Sequence, residues 1–292
     1  MQFLGWDCAY KTLAWTRADI NFSAFSKILA VIQEDILPRY KRLAGLMVAP
    51  ELESPSALTR ISAMLVILRE IRYIAAAAKK LTADFTSMVK IIGCATKDVL
   101  GEGVKTSSVK VSARLSLLSG YLAEVDAALG CSESPGLRVV VEKQSGGGPA
   151  FGAHGSGGGP GPTPHNIKSA EVSKILLLRY GPRTELIQAD RKNLLCFGGI
   201  TVEKLTQEYM AKRGPEKGMA KGAKYRIRKK HALAQLGQIN TLFGLGLNDE
   251  ILSTPDIADS FLQCFYLAMK EQLLIEPVLR LLRRGVARHQ VV

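Results

Sequence analysis

Histidine and cysteine are scarce in this chain, and neither is spaced for chemistry. The four histidines (His154, His165, His231 and His289) show no HExxH or HxxxH pattern, which argues against histidine-based zinc catalysis. The five cysteines (Cys8, Cys94, Cys131, Cys196 and Cys264) are odd in number and include no CxxC pair. That speaks against a disulfide framework and a structural zinc site, and fits a reducing compartment. There is no Walker A loop, no nucleophile elbow and no coherent Ser/His/Asp set. Long hydrophobic runs are missing too. The most apolar stretch, around Ala63 to Ala78, is interrupted by Arg69, Glu70 and Arg72, so it is expected as a buried or interfacial helix and not a membrane span. No basic segment with a cleavage site opens the chain, so an intracellular location is expected.

Acidic residues are outnumbered. Against 39 Lys and Arg stand 26 Asp and Glu, a formal net charge of +13. Such an excess favours a polyanionic partner, nucleic acid first and an anionic membrane surface second. Apolar residues make up 47% of 292, enough for a real core in one large domain or in one domain with a sizeable insertion.

Residues 2–7 (QFLGWD) and 11–20 (KTLAWTRADI) have strand character and are separated by a turn-length gap, so a hairpin is expected with Asp7 ending its first strand. Helical periodicity then takes over. Ile28, Leu29, Ile32, Ile36 and Leu37 recur at three- and four-residue spacing, Pro38 breaks or kinks that helix, and 50–56 is a linker. Helices are expected at 57–81, 83–93 and 108–129, making 23–135 an all-helical insertion for packing or dimerisation. The run 137–142 (LRVVVE) suits a central strand buried on both faces and ends in Glu142. A Gly/Pro-rich loop at 145–164 follows, then a helix at 166–180 and a strand at 184–189, with the two strands parallel. The basic tract 212–232 is punctuated by glycine and expected to be largely mobile until bound, with helix resuming around 229–243. A capped helix is expected over 253–274, opening with Asp256 and Asp259. The expected fold is therefore α/β, with 1–22 and 136–292 forming a mixed sheet flanked by helices.

Four acids stand at element ends. Asp256 and Asp259 share one face of a helical first turn, where acids are also favoured simply by the helix dipole. Glu142 and Asp7 are different, because a carboxylate ending an apolar strand is costly unless paired or metal-bound. Clustered carboxylates suit hard divalent cations, magnesium or manganese. Two such ions about 4 Å apart activate a water and stabilise the leaving oxygen in phosphodiester hydrolysis.

The ordered set resembles a known family. Asp7 in FLGWDCAYKTLAW, Glu142 in VVVEKQ, the stretch NIKSAEVSKIL to ELIQADRKN and the helix start DIADSF resemble the RuvC-like Holliday junction resolvases. The likeness is to the branch found in poxviruses, other large DNA viruses and fungal mitochondria, and it covers residues 1–21 and 137–270. It implies an RNase H-like fold and a homodimer that cuts opposed strands of a four-way DNA junction with magnesium, in recombination, repair or resolution of replicated genomes. It implies that Asp7, Glu142, Asp256 and Asp259 hold the metal, two ions per site. Lys229 and Lys230 are the candidates for assisting phosphate binding or charge development, with Lys192 behind them. Lys221, Lys224, Arg226 and Arg228 are further candidate DNA contacts, and Phe151 of the glycine-rich loop is a candidate for stacking on a base. The block 23–135 and the glycine-rich loop depart from the compact members of that family.

Other readings stay open. The substrate could be another structured nucleic acid, since fold does not fix substrate. A non-catalytic nucleic-acid-binding protein of the same fold is the second class, and the presence of all four acids argues against it. A phosphotransferase related to the actin-like ATPases is the third. Its first hairpin turn would carry glycine and Ser/Thr to wrap phosphate, whereas this turn is Cys8-Ala9-Tyr10.

Overall fold

Strands and helices follow one another as β1 Gln2–Asp7, β2 Leu13–Ile20, α1 Phe25–Val31, α2 Leu37–Met47, α3 Ala57–Thr86, β3 Val89–Lys97, α4 Val111–Leu129, β4 Arg138–Lys143, α5 Pro164–Tyr180, β5 Thr184–Gln188, α6 Val202–Arg213, α7 Ala223–Phe243, α8 Asp249–Leu252 and α9 Pro255–Leu273. This is a computed structural model, and it describes residues 1–131, 134–143, 164–188, 190–214, 219–220 and 222–273. The chain divides into two compact units, Met1–Ile20 with Lys90–Val292, and Asn21–Val89.

The first unit is mixed α/β. Its five-stranded sheet has the order β3-β2-β1-β4-β5. The expected hairpin forms, with β1 and β2 antiparallel and Trp6 opposite Trp15. β4 runs parallel to β1 and β5 parallel to β4, as the strand–helix–strand pattern predicts. Side chains alternate between the two faces. On one face Leu4, Trp6, Val139 and Val141 are fully buried against Leu118, Leu122 and Val125 of α4 and Val172 and Leu176 of α5. Glu171 of α5 ties the same layers together, its two carboxylate oxygens both accepting from Arg114 Nη2 of α4 and one of them also from the Tyr10 hydroxyl.

The opposite face carries α9, whose Phe261, Leu262, Phe265 and Ala268 are completely buried. Gly5 determines how close this helix lies. A methyl group there would sit 2.1 Å from the Ser260 carbonyl oxygen and 2.6 Å from Cys264 Sγ, so only hydrogen fits between β1 and the α9 backbone. The Thr16 and Ser260 hydroxyls pair at 2.7 Å beside it. α7 packs on the outside of α9 through Leu236, Ile239 and Phe243, the last in edge contact with Phe265 at 5.7 Å.

Three elements differ from the sequence-based expectation. Residues 89–97, expected within a helix at 83–93, form strand β3 beside β2. The segment VKIIGCATK is rich in β-branched residues, and Gly93 lets the Trp15 indole lie within 3.4 Å of where a Cβ would be. The helix at 108–129 forms, but as α4 its Leu118, Leu122 and Val125 belong to the core of the sheet. The separate helical unit therefore spans Asn21–Val89 and not 23–135. The basic tract is ordered earlier than expected. α7 starts at Ala223, six residues before 229, because Ala223, Ile227 and His231 recur every fourth residue and all three are buried.

Within the second unit α1 passes directly into a π-helical turn, Ile32–Ile36, and then into α2. The wide turn is the structural answer to Pro38, which has no N–H to give the Glu34 carbonyl; the Leu37 amide instead reaches back to Ile32. α2 and α3 are tied by Arg39, which pairs with Glu70 at 3.1 Å and lies 3.7 Å above the Tyr73 ring.

Candidate active site

β1 and β4 are parallel neighbours with Trp6 beside Val141, so their carboxyl ends place Asp7 and Glu142 next to each other. Gly5 faces α9, and by the two-residue repeat of a strand Asp7 faces it too. The close approach at Gly5 then brings the first turn of α9 to the ends of both strands. Asp256 and Asp259 meet Asp7 there, and one carboxylate oxygen from each of the three lies within 4.8 Å of the others.

Two lysines fill the centre. Lys229 of α7 sends its Nζ to Asp7 Oδ2 at 3.1 Å, Asp256 Oδ1 at 2.5 Å and Asp259 Oδ2 at 2.6 Å. Lys192, in the 3-10 turn Arg191–Leu194, bridges Glu142 Oε2 at 2.8 Å and the other oxygen of Asp259 at 2.9 Å. Asp259 is thus shared between two cation positions. The Gln263 amide, one turn further along α9, donates to Glu142 Oε2 at 3.2 Å. The four carboxylates and the two lysines border a cavity of about 240 Å3 that also includes Thr12, Ser169, Tyr225 and Arg228 in its lining.

Fully ionised, the four carboxylates outweigh the two ammonium groups by two charges, and the arrangement is mostly shielded from water. Burial drives the Asp7 carboxyl up to about 7; Lys229 and Lys192 oppose that shift, and Asp259 and Glu142 add to it. Burial acts on Asp259 in the same sense, but Lys192 and Lys229 together outweigh it and hold this carboxyl below its ordinary range. Burial alone would lower Lys229, yet Asp7, Asp259 and Asp256 lift it well above the usual lysine range. Lys192 is raised likewise, its desolvation outweighed by Asp259, Glu142 and Asp7. Cys8 also lines the cavity, but burial pushes its thiol far up, so it is protonated and no nucleophile.

All four predicted acids border this one cavity, although Glu142 joins the three aspartates through Lys192. Lys229 is inside the cluster. Lys192 is buried there as well, where an exposed phosphate contact would require an open side chain. Lys230, Lys224 and Arg226 are exposed on α7 and do not line the cavity, while Arg228 does. Lys221, Phe151 and nearly all of the glycine-rich loop lie outside the described residues. Sequence reasoning missed Gln263 and Tyr225. Both were signalled by helical spacing, Gln263 four residues after Asp259 and Tyr225 four before Lys229, whose Nζ lies 5.6 Å from the Tyr225 ring centre.

No family model, curated protein or solved structure matches the chain.

The donor set is all oxygen and anionic, which suits a hard divalent ion and not zinc or a soft metal. Lys229 Nζ already marks a point in contact with three carboxylates. A hard divalent ion at that point would take the place of the ammonium as the shared counter-charge of the three aspartates. Asp7, Asp256 and Asp259 are the residues that would hold it.

Proposed function

We propose that the chain is a metal-dependent endonuclease of RNase H-like type that resolves four-way DNA junctions. The observation that carries this reading is the meeting of Asp7, Asp256 and Asp259 around one cation position, with Glu142 joined through the shared Asp259. Residues more than 200 positions apart converge there, from the ends of two parallel strands and the start of α9. A bound magnesium ion supplies an activated water and charge stabilisation for the leaving oxygen. The protein's own groups do the rest. Asp7, Asp256 and Asp259 fix the ion, and Lys192 holds Glu142 and Asp259 in place. With the ion in place, Lys229 would be free to neutralise the scissile phosphate. Arg228 on the cavity wall and the exposed Lys224, Arg226 and Lys230 on the same helix give α7 the charge to follow a phosphate backbone. One ion at the Lys229 position is favoured over two, because the Lys192 position is met by only two carboxylates, Glu142 and Asp259.

The decisive experiment is magnesium-dependent cleavage of a synthetic four-way junction against linear duplex. Paired symmetric nicks are expected, and Asp7→Asn or Asp256→Asn should abolish cleavage while sparing junction binding. Random nicking of duplex would redirect the reading to another nucleic-acid substrate. A second reading has one observation in its favour: Lys229 satisfies three aspartates at once, as a purely structural ion-pair network would. On that reading the protein binds DNA without cutting it, and both aspartate variants behave like the parent.

A further inference from the structure

Helix α3 is apolar on two opposite faces, and the described residues cover only one of them. Ala63, Val66, Ile67, Glu70, Ile74 and Ala77 form the covered face, buried or half-buried within the unit Asn21–Val89. On the far side Leu58, Ile61, Met64, Leu65, Leu68 and Ile71 are between 44% and 75% exposed. Leu58, Ile61, Leu65 and Leu68 recur at alternating spacings of three and four, the seam of a two-helix coiled coil, with Met64 and Ile71 flanking it. A 30-residue helix that turns such an apolar seam to water offers a surface for a partner helix to bury.

We propose that this face is the contact between two copies of the chain, with α3 packed antiparallel on α3 of the second copy. Three features select a second copy. The six side chains expose on the order of 700 Å2, close to the ~800 Å2 per partner of a standard-size interface. The seam Leu58, Ile61, Leu65 and Leu68 is self-complementary under a two-fold axis at the level of Ala63, which sets Leu58 opposite Leu68 and Ile61 opposite Leu65 of the second copy. Charge then chooses the direction. Parallel packing would stack Arg72, which stands in the seam, on its own counterpart. Antiparallel packing sets it past the N-terminal end of the second copy's α3, away from its counterpart.

Sedimentation velocity of the full-length chain tests this without metal or DNA, so its outcome is independent of the nuclease reading. The parent is expected to be dimeric. Leu65→Glu should raise the dimer dissociation constant at least ~100-fold while leaving the circular dichroism and Tm of the monomer unchanged, because Leu65 is exposed in the single chain. Direction is read by cysteine cross-linking. A mixture of Leu58→Cys and Leu68→Cys proteins should form a heterodimeric disulfide, and Leu58→Cys alone should not link to itself. A monomeric parent at the highest soluble concentration overturns the proposal. So does a Leu65→Glu variant that stays dimeric, or one whose own fold loses stability, which would mean that another segment of the same chain covers the face. Self-linking of Leu58→Cys overturns the antiparallel arrangement.

Discussion

Lys229 is the cation around which the three aspartates are built, so replacing it reports directly on what the cluster is for. In Lys229→Met the ammonium at 2.5–3.1 Å from three carboxylates is lost, and the excess negative charge of the site rises from two to three. Each charge pair near 4 Å is worth about 4 kcal/mol at an effective dielectric of 20, before desolvation is subtracted. Lys229 and its partners are all less than one-fifth exposed, so removal of one partner from the network costs about 3–5 kcal/mol in metal-free protein. For a chain of this size that is a fall in Tm of roughly 6–15 °C in EDTA. On the metal-site reading, by contrast, a divalent ion no longer has to displace a competitor. Manganese affinity, followed by the electron paramagnetic resonance of the free ion, is expected to rise at least tenfold, about 1.4 kcal/mol. Magnesium should restore most of the lost Tm, while junction cleavage falls because no ammonium remains to meet the phosphate. If metal affinity in Lys229→Met is unchanged or weaker, the aspartates form a structural ion-pair network and the metal-site reasoning is wrong.

Other outcomes follow from particular contacts. Gly5→Ala should destabilise the protein by about 3 kcal/mol or more in urea titration, since its methyl meets backbone at 2.1 Å; a neutral result would mean that α9 is not seated on β1. The Asp7 carboxyl, raised to about 7 chiefly by burial, prefers its neutral form in the fold. Its contribution to metal-free stability is therefore full below about pH 4 and is lost as pH rises towards 7. Across that window the stability of the parent minus that of Asp7→Asn should fall, and a flat difference would refute the assignment. Glu171→Ala strips the buried Arg114 of its carboxylate partner and should cost about 2–4 kcal/mol by chemical denaturation. Leu118→Ala should cost about 2–5 kcal/mol as a core cavity; a cost below about 0.5 kcal/mol would place α4 outside the sheet's core.

Period-two and period-3.6 patterns made β1, β2, β4, α5 and α9 legible, because each pattern reflects one element's own burial. The same patterns failed at 89–97. A short apolar run following a long helix has the same composition whether it continues the helix or joins a sheet, and only the partners Trp15 and β2 decide. Periodicity also gave α4 correctly as a helix but could not say that it packs on Leu4 and Val141. On α7 the excess of charge masked the burial of Ala223, Ile227 and His231.

For the site, the chain's own chemistry determined that carboxylates and not histidines or cysteines carry it, and that Asp7 and Glu142 are costly where they stand. It could not pair Lys229 with Asp7, 222 residues away, or show that Lys192 is buried between Glu142 and Asp259. Those are consequences of the parallel register of β1 and β4 and of the hydrogen at Gly5 that lets α9 lie against the sheet. Residue types set which charges exist. The tertiary packing set which of them share a low-dielectric space, and only there do three aspartates gather around one cation position, with Glu142 joined through Lys192.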